Sequence, residues 1–162
     1  LGLLVLKKKI KLDKLLSKWY INQYFMPNIQ FKLTELIKEI ANTSIDISDG
    51  LLADLDKMIN LQKFSYKLNL KNIPISSKLK KVLNLKKFPK INYISNGDDY
   101  QVLFTAPGSK SRIIHKTSKI LGIKITKIGK IISKTIVGYN KIPGTPNPSI
   151  QPIVPSMLII LL

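Results

Sequence analysis

Ile45-Asp46-Ile47-Ser48-Asp49-Gly50-Leu51-Leu52-Ala53-Asp54-Leu55 is the stretch on which the fold turns. Its first half alternates: Ile45 and Ile47 face one way, Asp46 and Ser48 the other, the two-residue period of a half-buried strand. Its second half changes period, because Leu51, Leu52, Leu55, Met58 and Ile59 recur at the spacing of a helical stripe. Gly50 stands at the change, where a residue without Cβ lets the backbone turn sharply and approach a ligand closely. A strand that runs through a glycine into a helix is a building unit of α/β and α+β proteins.

The same alternation of periods extends outward. Leu33, Leu36, Ile37 and Ile40 mark a helix over 31–41, and 64–70 reads as a strand. Pro74 leads to a helix start at Ser76-Ser77 and a lysine-rich helix to about Lys87. Asn96-Gly97 predicts a turn, and Tyr100 to Thr105 a β-branched and aromatic strand. A helix then opens after Pro107-Gly108, carries Ile113, Ile114, Thr117, Ile120 and Leu121 on one face, and stops at Gly122. Two short strands, 123–126 and 127–132, are expected beyond it. At the start, apolar residues to Leu6 precede Lys7-Lys8-Lys9, the reverse of a secretory signal, and the expectation is an interior helix of a longer protein. Five of nine prolines fall between Pro143 and Pro155, so 1–140 is expected to be one domain and 141–162 a poorly ordered tail ending in an apolar patch.

Composition narrows the function classes. The 162 residues carry 27 Lys+Arg against 9 Asp+Glu, a formal charge of +18. An apolar fraction of 44% excludes a disordered basic tail, which has too little to bury. The absence of cysteine excludes disulfide scaffolds, thiolate metal sites and thiol catalysis. His115 is the only histidine and lies off the apolar stripe of its helix, so an exposed side chain is expected. The longest apolar run, Met157 to Leu162, is far shorter than the roughly 20 residues of a membrane span. Arg112 is the one arginine among 26 lysines, and the lysines are spread along the chain. Phosphate and base recognition favours the planar arginine fork, so the charge reads as codon bias of an AT-rich genome, with a nucleic-acid-binding module as the alternative.

The acids are the more informative residues. Six of the nine fall in two groups: Asp46, Asp49, Asp54 and Asp56, then Asp98 and Asp99. Two carboxylates and the Ser48 hydroxyl at one strand end are hard-oxygen donors suited to Mg²⁺ and phosphates; the alternative is that Asp49 or Ser48 caps the next helix. Asn96-Gly97-Asp98-Asp99 is either a second group at a strand end or an Asx-type turn. In an α/β pattern, acids at strand termini fit a site outside the sheet edge. Trp19, Tyr20, Tyr24 and Phe25 read as core or interface packing.

At these two motifs the sequence resembles thiamine-monophosphate kinase, a family of the aminoimidazole-ribonucleotide-synthetase-like superfamily. Ile45 to Leu55 is similar to the segment that opens the chemistry of that family's C-terminal domain. Asn96-Gly97-Asp98-Asp99-Tyr100-Gln101-Val102-Leu103-Phe104-Thr105 resembles its Gly-Gly-Glu-Asp-Tyr-Glu-Leu-Leu-Phe-Thr stretch. Ile128-Gly129-Lys130-Ile131 is similar to its Ile-Gly-Arg-Ile strand, and Gly138-Tyr139-Asn140 to its terminal Gly-aromatic element. The likeness covers about residues 20 to 140. It implies a three-layer α/β/α domain around a mixed sheet, with the N-terminal ATP-binding domain absent from this chain. It also implies a cytoplasmic, homodimeric enzyme in which ATP phosphorylates thiamine monophosphate to thiamine diphosphate with Mg²⁺, and a fragment inactive alone; the alternative within the resemblance is another ATP-dependent member of the same superfamily. Carried over by motif, Asp46 and Asp49 would bind Mg²⁺, Ser48 would contact ATP, and Asp98 and Tyr139 would contact the substrate. Asp98 is one methylene shorter than the family's Glu, and Asn96 replaces a Gly. Asp54 and Asp56 are expected to form a solvated helix edge.

Overall fold

A computed structural model describes residues 1–59, 64–86, 89, 91–133 and 156–161. In chain order these form α1 (Gly2–Leu6), α2 (Lys14–Phe25), α3 (Thr34–Ile40), β1 (Thr43–Asp46), α4 (Leu51–Ile59), β2 (Phe64–Leu68), α5 (Ser77–Lys86), α6 (Ile91–Ile94), β3 (Val102–Pro107), α7 (Ser111–Leu121), β4 (Ile125–Ser133) and β5 (Ser156–Leu161). Local chemistry sets several of these boundaries. Asp13 starts α2 by accepting the Leu16 amide at 2.8 Å, and the Ser76 hydroxyl accepts the Leu79 amide at 3.0 Å ahead of α5. Gly122 ends α7 in the left-handed region at φ 63°, where glycine is unstrained.

The five strands form one sheet in the order β1-β3-β5-β4-β2. All four pairings are antiparallel, so the α+β class holds, while the expected mixed sheet gives way to an antiparallel one. Alternation along β3 divides the interior in two. Phe104 and Ala106 pack with Leu33, Leu36, Ile40 and Ile114 on the face covered by α3 and α7. Leu103 points the other way, into a cluster with Ile47, Leu51, Leu55, Met58 and Ile94 from the side of α4 and α6. Helices on both faces of a sheet make three layers. Leu103 and Phe104 are both fully buried, which places β3 deep in the molecule.

Two expectations change here. The segments 123–126 and 127–132 are one strand, β4, with a bulge at Lys127/Gly129. Residues three apart on a regular strand face opposite sides, and the extra residue turns Ile128 and Ile131 into the same core. The apolar end, expected as a patch on a poorly ordered tail, is β5, the middle strand, paired to both β3 and β4. Met157 to Leu161 is a continuous apolar run, so it carries no alternation to announce a strand. None of the described helices is long and apolar enough to cross a membrane.

Candidate active site

β1 ends at Asp46, and its backbone continues beyond the sheet as a loop that runs into α4. A second loop, between α6 and β3, lies against it. The Ile47 amide donates to the Gln101 carbonyl at 2.8 Å, the Tyr100 amide to the Ile47 carbonyl at 2.9 Å, and the Asp98 amide to the Ser48 carbonyl at 2.9 Å. These bonds prolong the β1–β3 ladder past its last pair, Asp46 and Val102, and clasp the two acidic motifs backbone to backbone. Two glycines permit the approach: a Cβ on Gly97 would overlap the Ser48 carbonyl, and one on Gly50 would overlap that of Ser95. Gly50 also has φ 127°, a region closed to other residues at low cost. Asp98 and Tyr100 are held at φ 65° and 51°, left-handed for side chains that seldom adopt it.

Asp54 organises the first loop, contrary to the expectation of a solvated helix edge. It is fully buried, and its Oδ2 accepts the amides of Ser48 at 2.9 Å, Asp49 at 2.9 Å and Gly50 at 3.0 Å. Its Oδ1 accepts Lys57 Nζ at 3.0 Å, and the same ammonium pairs with Asp49 Oδ2. Burial pushes the Asp54 carboxyl up, but the bonds from Lys57 and from the Asp49 and Gly50 amides outweigh it and hold the group below the usual carboxylate range. Lys57 is held above the usual lysine range, first by Asp49 and then by Asp54. The signal that marks Asp54 in the sequence is its register: it stands three residues after Leu51 and four before Met58, on the buried stripe of α4. Asp56 is exposed, as expected.

The remaining candidates divide. Asp46 and Asp49 are exposed, Ser48 is half-buried, and Asp98 is exposed; the clasp brings the 46–50 and 96–100 segments together. Tyr139 lies outside the described residues. His115 is exposed, as its place off the stripe required. Among the described residues no three His, Cys, Asp or Glu side chains gather where a metal ion could sit. The local donor set is at most a pair of carboxylates. That suits Mg²⁺, which keeps several waters and is held through one or two carboxylates together with phosphates.

A cavity of about 430 Å³ opens beside the second loop. Trp19, Tyr20 and Tyr24 of α2 line it together with Gly97, Asp98 and Asp99, whereas Asp46, Ser48 and Asp49 do not. The aromatic group of α2, expected to be plain packing, is therefore a cavity wall, with Trp19 and Tyr20 edge to face at 4.9 Å. Asp99 is exposed, yet partial desolvation at the cavity edge pushes its carboxyl up to about 6, and the charge of Asp98 acts in the same direction.

No family model matches the chain. It is 33% identical over 140 residues to the thiamine-monophosphate kinase of Buchnera aphidicola subsp. Acyrthosiphon pisum, a match over 85% of this chain and 40% of that protein. Among solved structures it is similar to AaThiL complexed with AMPPCP and TMP, at 26% identity and TM-score 0.68, over 82% of this chain and 40% of that one. It shares the fold of the thiamine-monophosphate kinase from Stenotrophomonas maltophilia K279a, at 23% identity and TM-score 0.70, over 82% and 43%. The chain spans about two-fifths of the length of the curated relatives it matches.

Proposed function

We propose, from the homology of this chain to thiamine-monophosphate kinases over most of its length, that it is the C-terminal part of such a kinase. The reaction would move the γ-phosphoryl group of ATP to a phosphate oxygen of thiamine monophosphate, breaking the bond to the β-phosphate oxygen and leaving ADP and thiamine diphosphate. Donor and acceptor are both polyanions, so the physical task is to align them and offset their charge. Bound Mg²⁺ would neutralise phosphate oxygens. Asp46 and Asp49 would hold it, Asp49 exchanging its pairing with Lys57 for the ion. Ser48 would donate its hydroxyl to ATP phosphates. Asp98, with the aromatic walls of the cavity, would receive the organic, cationic part of the substrate, for which aromatic faces and carboxylates are suited. The net charge of +18 would draw anionic substrates toward the protein.

The observation that carries this reading is the clasp between Ile47–Ser48 and Asp98–Gln101, which joins the two segments that resemble the kinase family. The full-length protein would be a cytoplasmic homodimer, and this chain alone would transfer no phosphate. The test is thiamine diphosphate formation from ATP and thiamine monophosphate by the full-length protein. Asp46→Asn and Asp49→Asn are each expected to lower kcat/KM by about 100-fold or more, as loss of several kcal/mol of metal-assisted stabilisation requires. Unchanged rates in both variants would reject the site. A substrate panel in which another phosphate acceptor reacts and thiamine monophosphate does not would reject the activity.

A further inference from the structure

A glycine-bearing loop that feeds a helix N-terminus, with three successive amides pointing inward, has the form of a main-chain phosphate cradle. Here the cradle is already filled. The amides of Ser48, Asp49 and Gly50 converge on one oxygen, Asp54 Oδ2, at 2.9, 2.9 and 3.0 Å. That carboxylate is fully buried, and its other oxygen is engaged by Lys57. A phosphate oxygen cannot reach the same amides without ejecting a buried, four-fold hydrogen-bonded anion.

We propose that Asp54 is a positioning residue that occupies the anion nest of this loop from within, so that the 48–50 backbone binds no phosphate and serves to present side chains. The internal anion fixes the loop, the loop fixes Asp49, and Lys57 ties Asp49 back to Asp54. A carboxylate that must meet a divalent cation gains from such fixing, because the cost of ordering the loop is met on folding rather than on binding. The inference rests on the kinase reading only for what Asp49 would hold; the occupied nest stands on the hydrogen bonds alone.

The test uses amide signals of the chain and needs no kinase activity. In the wild-type chain, inorganic phosphate titrated to tens of millimolar should leave the Asp54 carboxyl resonance and the slow exchange of the Ser48, Asp49 and Gly50 amides in place, even where it meets the Ser48 hydroxyl. In Asp54→Ala those amides should exchange with solvent at least about 10-fold faster, while those of β3 stay protected, since each loses its charged acceptor. Sodium formate, a carboxylate small enough for the vacated space, should restore the protection, and sodium chloride should not. Phosphate that releases the Asp54 carboxyl, moving its resonance while the three amides change partner, would overturn the proposal, as would Asp54→Ala exchange equal to wild type. Should Asp54→Ala not fold, Asp54→Asn supplies the exchange comparison, and the wild-type phosphate titration decides by itself. Absence of thiamine diphosphate formation by the full-length protein, with these signals intact in the chain, would count against the kinase reading and leave this one standing.

Discussion

The clasp between the two acidic loops makes Gly97→Ala the most informative single substitution. A Cβ there would overlap the Ser48 carbonyl and crowd the Asp49 carbonyl carbon, both backbone atoms with no rotamer to give way. The loops must part. Overpacking of this kind costs about 1–3 kcal/mol. Separation also strains or breaks the Asp98–Ser48 and Tyr100–Ile47 bonds, both 2.9 Å, each worth about 0.5–1.5 kcal/mol. The sum is about 2–6 kcal/mol, which for a chain of this length corresponds to a Tm lower by roughly 5–20 °C. Two other glycines calibrate the result. Gly108 has nothing within 4 Å of its would-be Cβ, so Gly108→Ala should change stability by no more than about 0.5 kcal/mol. Gly122 has equally open space but φ 63°, so Gly122→Ala should cost about 1 kcal/mol from backbone strain alone. Urea denaturation followed by circular dichroism, with m-values held common, would rank the three. A Gly97→Ala midpoint indistinguishable from that of Gly108→Ala would refute the backbone contact on which the site is built.

Three further outcomes follow from single groups. Tyr20 is buried with its hydroxyl unpartnered, so Tyr20→Phe should leave stability at pH 7 unchanged or raise it by up to about 1 kcal/mol; a clear loss in urea would show a missed partner. The same burial pushes the Tyr20 phenol up to about 12. The unfolded phenol ionises near 10 while the folded one keeps its proton, so wild-type stability should fall from pH 10 toward 12, and less steeply in Tyr20→Phe. Asp99, at about 6, retains its proton in the folded chain after the unfolded chain has lost it near 4; its contribution is complete below pH 4 and lost by pH 6, and a carboxyl NMR titration with a midpoint near 4 would contradict this. Ser76→Ala removes the acceptor for the Leu79 amide and should lower the urea-derived stability by about 1 kcal/mol, with no change refuting the cap.

Much of the architecture could be read from periodicity, and the failures share a physical cause. The strand–glycine–helix unit at 45–59 was legible because each half keeps its own period and Gly50 marks the change. Gly122 and Ser76 mark helix ends by chemistry that acts within a few residues, and both hold. What escaped depends on neighbours distant in sequence. β5 is an apolar run without alternation, and its place between β3 and β4 is set by pairing with strands far from it in sequence. The single strand β4 looked like two because its bulge breaks the two-residue period. Asp54 was read by residue type as a surface acid, although its register on the α4 stripe argued for burial. A buried acid needs partners, and its partners are amides, which composition and spacing do not display.

The structure also gives the two acid groups different surroundings, where the sequence presented them as equals. Both loops are clasped together, yet only Asp98 and Asp99 line the aromatic cavity. Asp46 and Asp49 stand outside it, with Asp49 tied to Lys57, and all four carboxylates are exposed. A carboxyl raised by desolvation beside aromatic walls is suited to an organic cation, where part of its charge is recovered on binding. An exposed carboxylate on a fixed loop is suited to a hydrated metal ion, whose waters need open space. A phosphate-transfer site requires both environments within one substrate's length, one for the ring system and one for the phosphates. The backbone bonds between Ile47–Ser48 and Asp98–Gln101 hold the two loops side by side, so the clasp is the part of the fold on which the kinase reading most depends.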